Sequence, residues 1–219
     1  MSAVRTEASA ARRARIARLG GLYAVTPDIG DTALLTRKVA AAIAGGAAAV
    51  QYRNKLADSV LRRDQARAIA RLPVRARTVF IVNDDAALAA AVDADGVHIG
   101  ADDADVATAR ALVGTDRIVG VSCYGDIERA NAAVEAGADY VAFGAFFPSE
   151  TKASEHRPEL ELLEWWQQMM ELPCVAIGGI TPANCTPLVE AGADFLAVSN
   201  AVWGGDEAEA VRAFAKLLK

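Results

Sequence analysis

Eight short aliphatic runs, separated by Ala-rich stretches of helical pattern, constrain this chain more than any other feature. The runs cover residues 21–26, 48–53, 79–84, 96–99, 118–123, 140–145, 174–178 and 195–199. Between them, residues 85–92, 105–112, 127–136 and 182–191 carry an amphipathic, helical pattern. Bare Val, Ile and Ala without regular polar alternation mark strands covered on both faces, as in parallel sheets. Three junctions echo one another: Asp93-Ala94-Asp95-Gly96-Val97, Ala136-Gly137-Ala138-Asp139-Tyr140 and Ala191-Gly192-Ala193-Asp194-Phe195. Each closes a helix, where Gly is favoured, and opens a strand. No strict period holds, so the echoes mark repeated αβ units and not a solenoid.

Eight such units in 219 residues predict an α/β fold of (β/α)8 TIM-barrel type. No Pro- or Ser-rich linker divides the chain, so residues 21–219 read as one barrel domain. Residues 1–20 read as a short N-terminal helical extension capping one end. The rival is a doubly wound nucleotide-binding sheet. It is weakened because no GxGxxG follows the first run and no Walker A pattern occurs.

Composition narrows the function. Hydrophobic residues make up 53 % and aromatics only 6 %, so Ala, Val, Leu and Ile must build the core. A net charge of -5 and a pI of about 5.1 argue against nucleic acid as a partner. An anionic substrate would then need local cations. Cys123, Cys174 and Cys185 are odd in number and form no CxxC, so they read as buried reduced thiols of a cytoplasmic protein. With His98 and His156 alone, a histidine-rich metal site is not indicated. The first twenty residues hold Arg5, Arg12, Arg13, Arg15 and Arg18 and lack the apolar core of a signal peptide. The apolar run over 39–50 is shorter than the roughly 20 residues a bilayer crossing needs. A soluble protein without membrane partners is expected, its oligomeric state open, a homo-oligomer included.

In such barrels the chemistry sits at the C-terminal strand ends. After the second run stand Gln51, Arg53 and Lys55 at alternate positions, predicted to share one strand face. They read as a diphosphate clamp, with Arg a planar fork and Lys a point charge. The competing reading is an ion-pair network with Asp84 or Asp103. Asn83-Asp84-Asp85 ends the third run, and Gly100-Ala101-Asp102-Asp103 follows the fourth. Asp84 and Asp103 together suggest Mg2+, a hard ion suited to carboxylates and phosphate oxygens. Asp85, and Asp102 or Asp105, suit helix starts. Ser122 ends the fifth run and is equally readable as a turn hydroxyl. The polar loop from Ser149 through Thr151, Lys152 and His156 to Pro158 offers phosphate ligands, or is a solvated linker. Gly178-Gly179 permits close approach of a ligand or simply a tight turn. Thr181-Pro182 reads as an N-cap and first helical position. The loops after the seventh run and after Val198-Ser199 are where barrels commonly hold phosphate. His98 reads as a satisfied core residue, and Trp165-Trp166 as helical residues packed outside the barrel.

These motifs together resemble the thiamine-phosphate synthase family. The likeness extends over residues 21–201. It rests on Gln51-x-Arg53-x-Lys55, Asn83-Asp84-Asp85, Gly96-Val97-His98-Ile99-Gly100 with Asp103, Gly120-Val121-Ser122, Pro148-Ser149-x-Thr151-Lys152, Gly178-Gly179-Ile180 and Val198-Ser199. The resemblance implies a TIM barrel that joins 4-amino-2-methyl-5-hydroxymethylpyrimidine diphosphate to a thiazole phosphate and releases diphosphate. Gln51, Arg53, Lys55, Asn83, Ser122 and Lys152 would hold the pyrimidine diphosphate, with Arg53, Lys55, Lys152 and Ser122 acting in catalysis. Asp84 and Asp103 would bind Mg2+. Ser149, Thr151, Gly179, Val198 and Ser199 would hold the thiazole phosphate. Three positions depart from the family pattern: Tyr52 for an aliphatic residue, Ser149 for Thr, and Cys123-Tyr124 where a His often follows the Ser. A thiazole tautomerase and a non-catalytic phosphate-binding barrel are the competing readings. The intact cation and carboxylate sets favour the transferase.

Overall fold

The computed structural model describes residues 9–73, 77–100, 105–148 and 157–218. Its strands are β1 (Gly21–Val25), β2 (Ala49–Tyr52), β3 (Val79–Asn83), β4 (Gly96–Ile99), β5 (Ile118–Tyr124), β6 (Tyr140–Gly144), β7 (Cys174–Ile177) and β8 (Phe195–Val198). The helices are α1 (Ala10–Ile16), α2 (Thr32–Gly45), α3 (Ser59–Ala70), α4 (Ala86–Ala91), α5 (Val106–Val113), α6 (Ile127–Glu135), α7 (Glu161–Met169), α8 (Thr186–Glu190), α9 (Asn200–Trp203) and α10 (Glu207–Ala215). All eight strands pair in parallel and in chain order, and β8 closes on β1. This is the expected TIM barrel. No helix among the described residues is long and apolar enough to cross a membrane.

Strand alternation sorts the core into two parts. Leu22 and Ala24 pack under the helices, whereas Tyr23 and Val25 belong to the cluster inside the barrel. Val97, Val119, Val121 and Cys123 face outward. Gly96, His98, Gly120 and Ser122, at the intervening positions, face inward. The aliphatic runs lack alternation because both faces are buried, each large side chain contributing about 1.5–3 kcal/mol. Three rings fill the interior: Tyr23, Tyr140 and Phe195, with centroids 6.0–6.5 Å apart. Gly120 makes the space for one of them, since a Cβ there would lie 1.9 Å from Cζ of Tyr140.

The three echoed junctions have a physical cause at the N-terminal end of the barrel. Asp95, Asp139 and Asp194 each precede an even-numbered strand. Their carboxylates accept from the backbone N–H of Phe80 (2.9 Å), Val119 (2.9 Å) and Cys174 (2.8 Å) on the preceding strand. Their own N–H groups donate to the carbonyls of those same residues. The corresponding place before β2 is Ala48, which keeps only the backbone bond, to Leu22. Helix α1 lies beneath this end. Arg12 Nε is 3.2 Å from Asp139, Arg15 Nε donates to Asp95 at 3.2 Å, and Arg110 donates to Asp139 at 2.6 Å.

Two expectations change. Thr181-Pro182 opens a turn, and α8 begins five residues after Thr181. Asn184 explains the delay: its side chain accepts from Thr181 N–H (2.8 Å) and donates to the Gly179 carbonyl (3.0 Å), competing with helix formation. Pro187 would also have fallen in the interior of the longer helix, and now lies in its first turn. The second change is that β2 ends at Tyr52, so Arg53 and Lys55 lie in the loop beyond it. Other readings hold. Trp166 is buried outside the barrel, edge-on to Phe143, and donates to the Leu172 carbonyl, while Trp165 is partly exposed. The three cysteines are buried and free.

Asp139→Ala should lower the unfolding free energy by about 3 kcal/mol, because it removes the carboxylate from Arg12 and Arg110 and leaves the buried Val119 N–H without its side-chain acceptor. Urea denaturation with an unchanged slope measures this. A loss under about 1 kcal/mol would show that the barrel closes without the clamp.

Candidate active site at the C-terminal mouth

The loops that follow β2 and β3 enclose a cleft of about 410 Å³ at the C-terminal end of the strands. Arg53, Lys55, Asn83, Asp84 and Asp85 line it, together with Arg62 from the first turns of α3. Two predicted cations, an amide and a predicted metal ligand thus meet there. Gln51 does not line it. It is buried inside the barrel on β2, and its Nε2 donates to Tyr23 Oη at 3.0 Å.

The loop holding the cations is built by short-range chemistry. Thr26 Oγ1, just past β1, accepts from Arg53 N–H (2.9 Å) and donates to Arg53 C=O (2.8 Å). Asp28 accepts from the Lys55 N–H at 2.8 Å and lies 3.7 Å from the Arg53 guanidinium. So half-exposed a pair contributes under about 1 kcal/mol, leaving the guanidinium available to a stronger anion. Asn54 turns the chain: its Oδ1 accepts from the N–H groups of Leu56 and Ala57, both at 3.1 Å. Its Nδ2 donates to Ile29 C=O and to Gln65 Oε1, and Gln65 also receives the Tyr52 hydroxyl at 2.9 Å. Tyr52 lines the cleft as well, but its hydroxyl is taken up by Gln65 in a buried polar bracket. Arg62 Nη2 donates to Ala57 C=O, while its buried Nε has no hydrogen-bond partner among the described residues.

Across the cleft, Asp84 adopts φ 62°, in the left-handed region. Asp tolerates that better than most residues, though at a cost, and strained backbone of this kind clusters at functional sites. Its N–H donates to the His98 carbonyl at 2.8 Å. Asp85 and Asp105 are the N-caps of α4 and α5, accepting from Leu88 and Thr108 N–H. Those bonds hold the Asp105 carboxyl below its usual range.

Ser122 lies deeper, on β5, with Oγ 2.8 Å from His98 Nε2. His98 is buried with both ring nitrogens bonded, as expected of a satisfied core residue, and its Nδ1 is 2.9 Å from Tyr140 Oη. Burial raises the hydroxyl pKa of Tyr23 and of Tyr140, so both stay neutral phenols. Next to Ser122, Cys123 points outward and burial pushes its thiol up to about 12. Gly178 and Gly179, at φ 106° and 63°, answer to a third cause besides ligand approach and turn geometry. A Cβ on Gly179 would lie 2.3 Å from the Pro148 carbonyl, so the loops after β6 and β7 pack backbone to backbone. Val198 is buried under the helices, and Ser199 begins α9 without a side-chain capping bond. Asp102, Asp103, Ser149, Thr151, Lys152 and His156 lie outside the described residues.

A family model described as thiamine monophosphate synthase matches residues 22–202. The chain belongs to the thiamine-phosphate synthase family. It is 50 % identical over 190 residues to a thiamine-phosphate synthase of Methylobacillus flagellatus, covering 87 % of this chain and 90 % of that one. It is 50 % identical over 198 residues to the thiamine-phosphate synthase of Thiobacillus denitrificans, covering 90 % and 93 %. Among solved structures, a thiamine phosphate pyrophosphorylase of Pyrococcus furiosus superposes with a TM-score of 0.80 at 32 % identity, over 93 % of this chain and 96 % of that one. Against this family frame, the residues that sequence reasoning overlooked are Thr26, Asp28, Asn54, Arg62, Tyr23 and Tyr140. Asn54, a buried amide between two cations, was the one readable signal. The others come from distant segments.

Asn54→Ala should raise the exchange rates of the Leu56 and Ala57 amides by about tenfold or more, since both lose their acceptor. Unchanged protection by hydrogen-exchange mass spectrometry would show that Asn54 does not hold the loop.

Proposed function

We infer that this chain is a transferase that joins 4-amino-2-methyl-5-hydroxymethylpyrimidine diphosphate to 4-methyl-5-(2-phosphoethyl)thiazole, giving thiamine monophosphate and diphosphate. Residues 21–219 are taken as the catalytic unit and residues 1–20 as an extension. Buried reduced thiols and phosphorylated small-molecule substrates suit a cytoplasmic enzyme. The observation that carries the reading is the cleft in which Arg53, Lys55 and Arg62 stand together with Asn83 and Asp84, in a chain of this family.

The reaction breaks a carbon–oxygen bond next to an electron-rich aminopyrimidine. That ring stabilises positive charge on the methylene carbon, which favours a dissociative path. Negative charge grows on the departing diphosphate, and Arg53, Lys55 and Lys152 oppose it, with Ser122 donating a hydrogen bond. Arg62 adds a third cation to the described wall of the cleft. The thiazole nitrogen already carries its lone pair, so the chain needs to align it and not to deprotonate it. Gln51 and Asn83 hold the pyrimidine diphosphate. Ser149, Thr151, Gly179, Val198 and Ser199 hold the thiazole phosphate. Asp84 lines the cleft beside Asn83, and its carboxylate suits a hard cation. Asp84 with Asp103 would hold Mg2+, which when bound supplies further charge neutralisation for the leaving group.

Purified protein with both substrates and Mg2+ should form thiamine monophosphate and diphosphate, followed by chromatography. Folded protein that makes neither refutes the assignment. Asp84→Asn keeps a residue tolerant of φ 62° and should cut turnover about 100-fold with the melting temperature nearly unchanged. Undiminished turnover would remove Asp84 from the site. Arg53→Ala should raise KM for the pyrimidine diphosphate and lower kcat, each by about tenfold or more, and leave KM for the thiazole phosphate alone.

A further inference from the structure

Gln51 and Ser122 enter the barrel from strands that do not neighbour each other, yet one hydrogen-bonded chain joins them. It runs from Gln51 Nε2 to Tyr23 Oη (3.0 Å), on to Tyr140 Oη (3.0 Å), to His98 Nδ1 (2.9 Å), and from His98 Nε2 to Ser122 Oγ (2.8 Å). Its members come from β2, β1, β6, β4 and β5. Tyr23 and Tyr140 are 1–2 % exposed, Gln51 6 % and His98 7 %. His98 also stacks on Tyr140, with ring centroids 5.5 Å apart and planes at 23°.

We propose that Tyr23, Tyr140 and His98 are positioning residues that set the hydrogen-bonding senses of Gln51 and Ser122 together, through one directional chain. The proposal rests on the reading that Gln51 and Ser122 hold the pyrimidine diphosphate. Each hydroxyl has one proton to give, and the neutral imidazole has one donor and one acceptor. The Gln51 amide donates to Tyr23, so Tyr23 gives its proton to Tyr140. Tyr140 then gives its proton to His98 Nδ1. His98 carries its hydrogen on Nε2 and donates it to Ser122 Oγ. The Ser122 O–H is left to donate into the site, and Gln51 has its carbonyl oxygen to offer there. A donor thus meets the anionic diphosphate, and an acceptor meets the amino-bearing ring.

Reversing either end reverses everything between. A Gln51 amide turned by 180° would accept from Tyr23. Tyr140 would then donate to Tyr23, His98 would carry its hydrogen on Nδ1, and Ser122 would donate into Nε2. Ser122 would present only lone pairs to the diphosphate, which repels them. The amide and hydroxyl orientations are assigned from this network, and the His98 tautomer is the observable that reports its sense.

The test uses the full 15N-labelled chain and two-bond 1H–15N correlation of its two histidines, with His156→Gln assigning the signals. His98 should be neutral with Nε2 protonated at neutral pH. In Tyr140→Phe, Nδ1 loses its donor, so His98 should lose its single tautomer. The kcat of that variant should fall by about tenfold or more while KM for the thiazole phosphate stays put. Tyr23→Phe, which cuts the chain one link earlier, serves if Tyr140→Phe does not fold. Its kcat should fall likewise. An Nδ1-protonated His98 in the unaltered chain overturns the proposal, as does a folded Phe variant with unchanged kcat. An unaltered chain that makes no thiamine monophosphate overturns the functional reading instead, and the tautomer still decides the sense of the chain.

Discussion

The Tyr140 ring occupies the space that any side chain at position 120 would need, and much of the interior depends on that exchange. Gly120 gives up its own contact so that a large ring can cross toward the barrel axis. The ring brings a hydroxyl to a place where Tyr23 and His98 can both reach it. Without the vacancy at Gly120 the Tyr140 ring would clash with residue 120, and Tyr23 and His98 would lose the hydroxyl that joins them. With it, a polar path runs through the core, and every described hydroxyl and ring nitrogen along it is matched. A buried network of this kind is costly when any member is unpaired and rigid when all are paired. That rigidity holds Gln51 and Ser122 in place from beneath.

The two ends of the barrel divide the work. At the N-terminal end, Asp95, Asp139 and Asp194 each close two hydrogen bonds onto the preceding strand, and α1 adds arginines to two of them. These groups are mostly buried and paired with opposite charge, as structural charges require, although the buried Arg12 Nε makes no hydrogen bond among the described residues. At the C-terminal end the described cations are held more loosely. Arg53 has a distant, half-exposed carboxylate, Arg62 has a buried donor without a partner among the described residues, and Asp84 sits at a strained φ. Arg53 and Arg62 therefore keep charge facing the cleft that the fold itself does not fully use. The loop that carries Arg53 and Lys55 is nevertheless held, because Thr26 and Asn54 bind its backbone and Gln65 binds the Asn54 side chain.

The strands were legible because a barrel buries both faces of each one, which leaves continuous aliphatic runs in the chain. Their ends were less so. Residues 48–53 read as one strand, and the alternation of Gln51, Arg53 and Lys55 suggested a single face. The strand stops at Tyr52, so the amide goes into the barrel while the cations go to the rim cleft. Thr181-Pro182 misled for a related reason. The capping pattern is a local signal, and Asn184 offers the backbone a competing local bond that the pattern does not weigh. Asp85, by contrast, is an N-cap as read, because capping needs only neighbours within a few residues.

The sequence by itself determined the architecture, the order of the strands, and which residues at strand ends carry charge suited to a diphosphate. Those are properties of spacing, and spacing is written in the chain. It also showed the Asp echo at three junctions, though not its meaning. Only the tertiary structure decided that those carboxylates clamp the strand before, that Arg62 joins Arg53 and Lys55, and that Tyr23, Tyr140 and His98 link Gln51 to Ser122. The clamps and the chain of hydroxyls depend on atoms from segments as many as 117 residues apart meeting within about 3 Å. Such meetings follow from barrel closure and strand register, which no local pattern encodes.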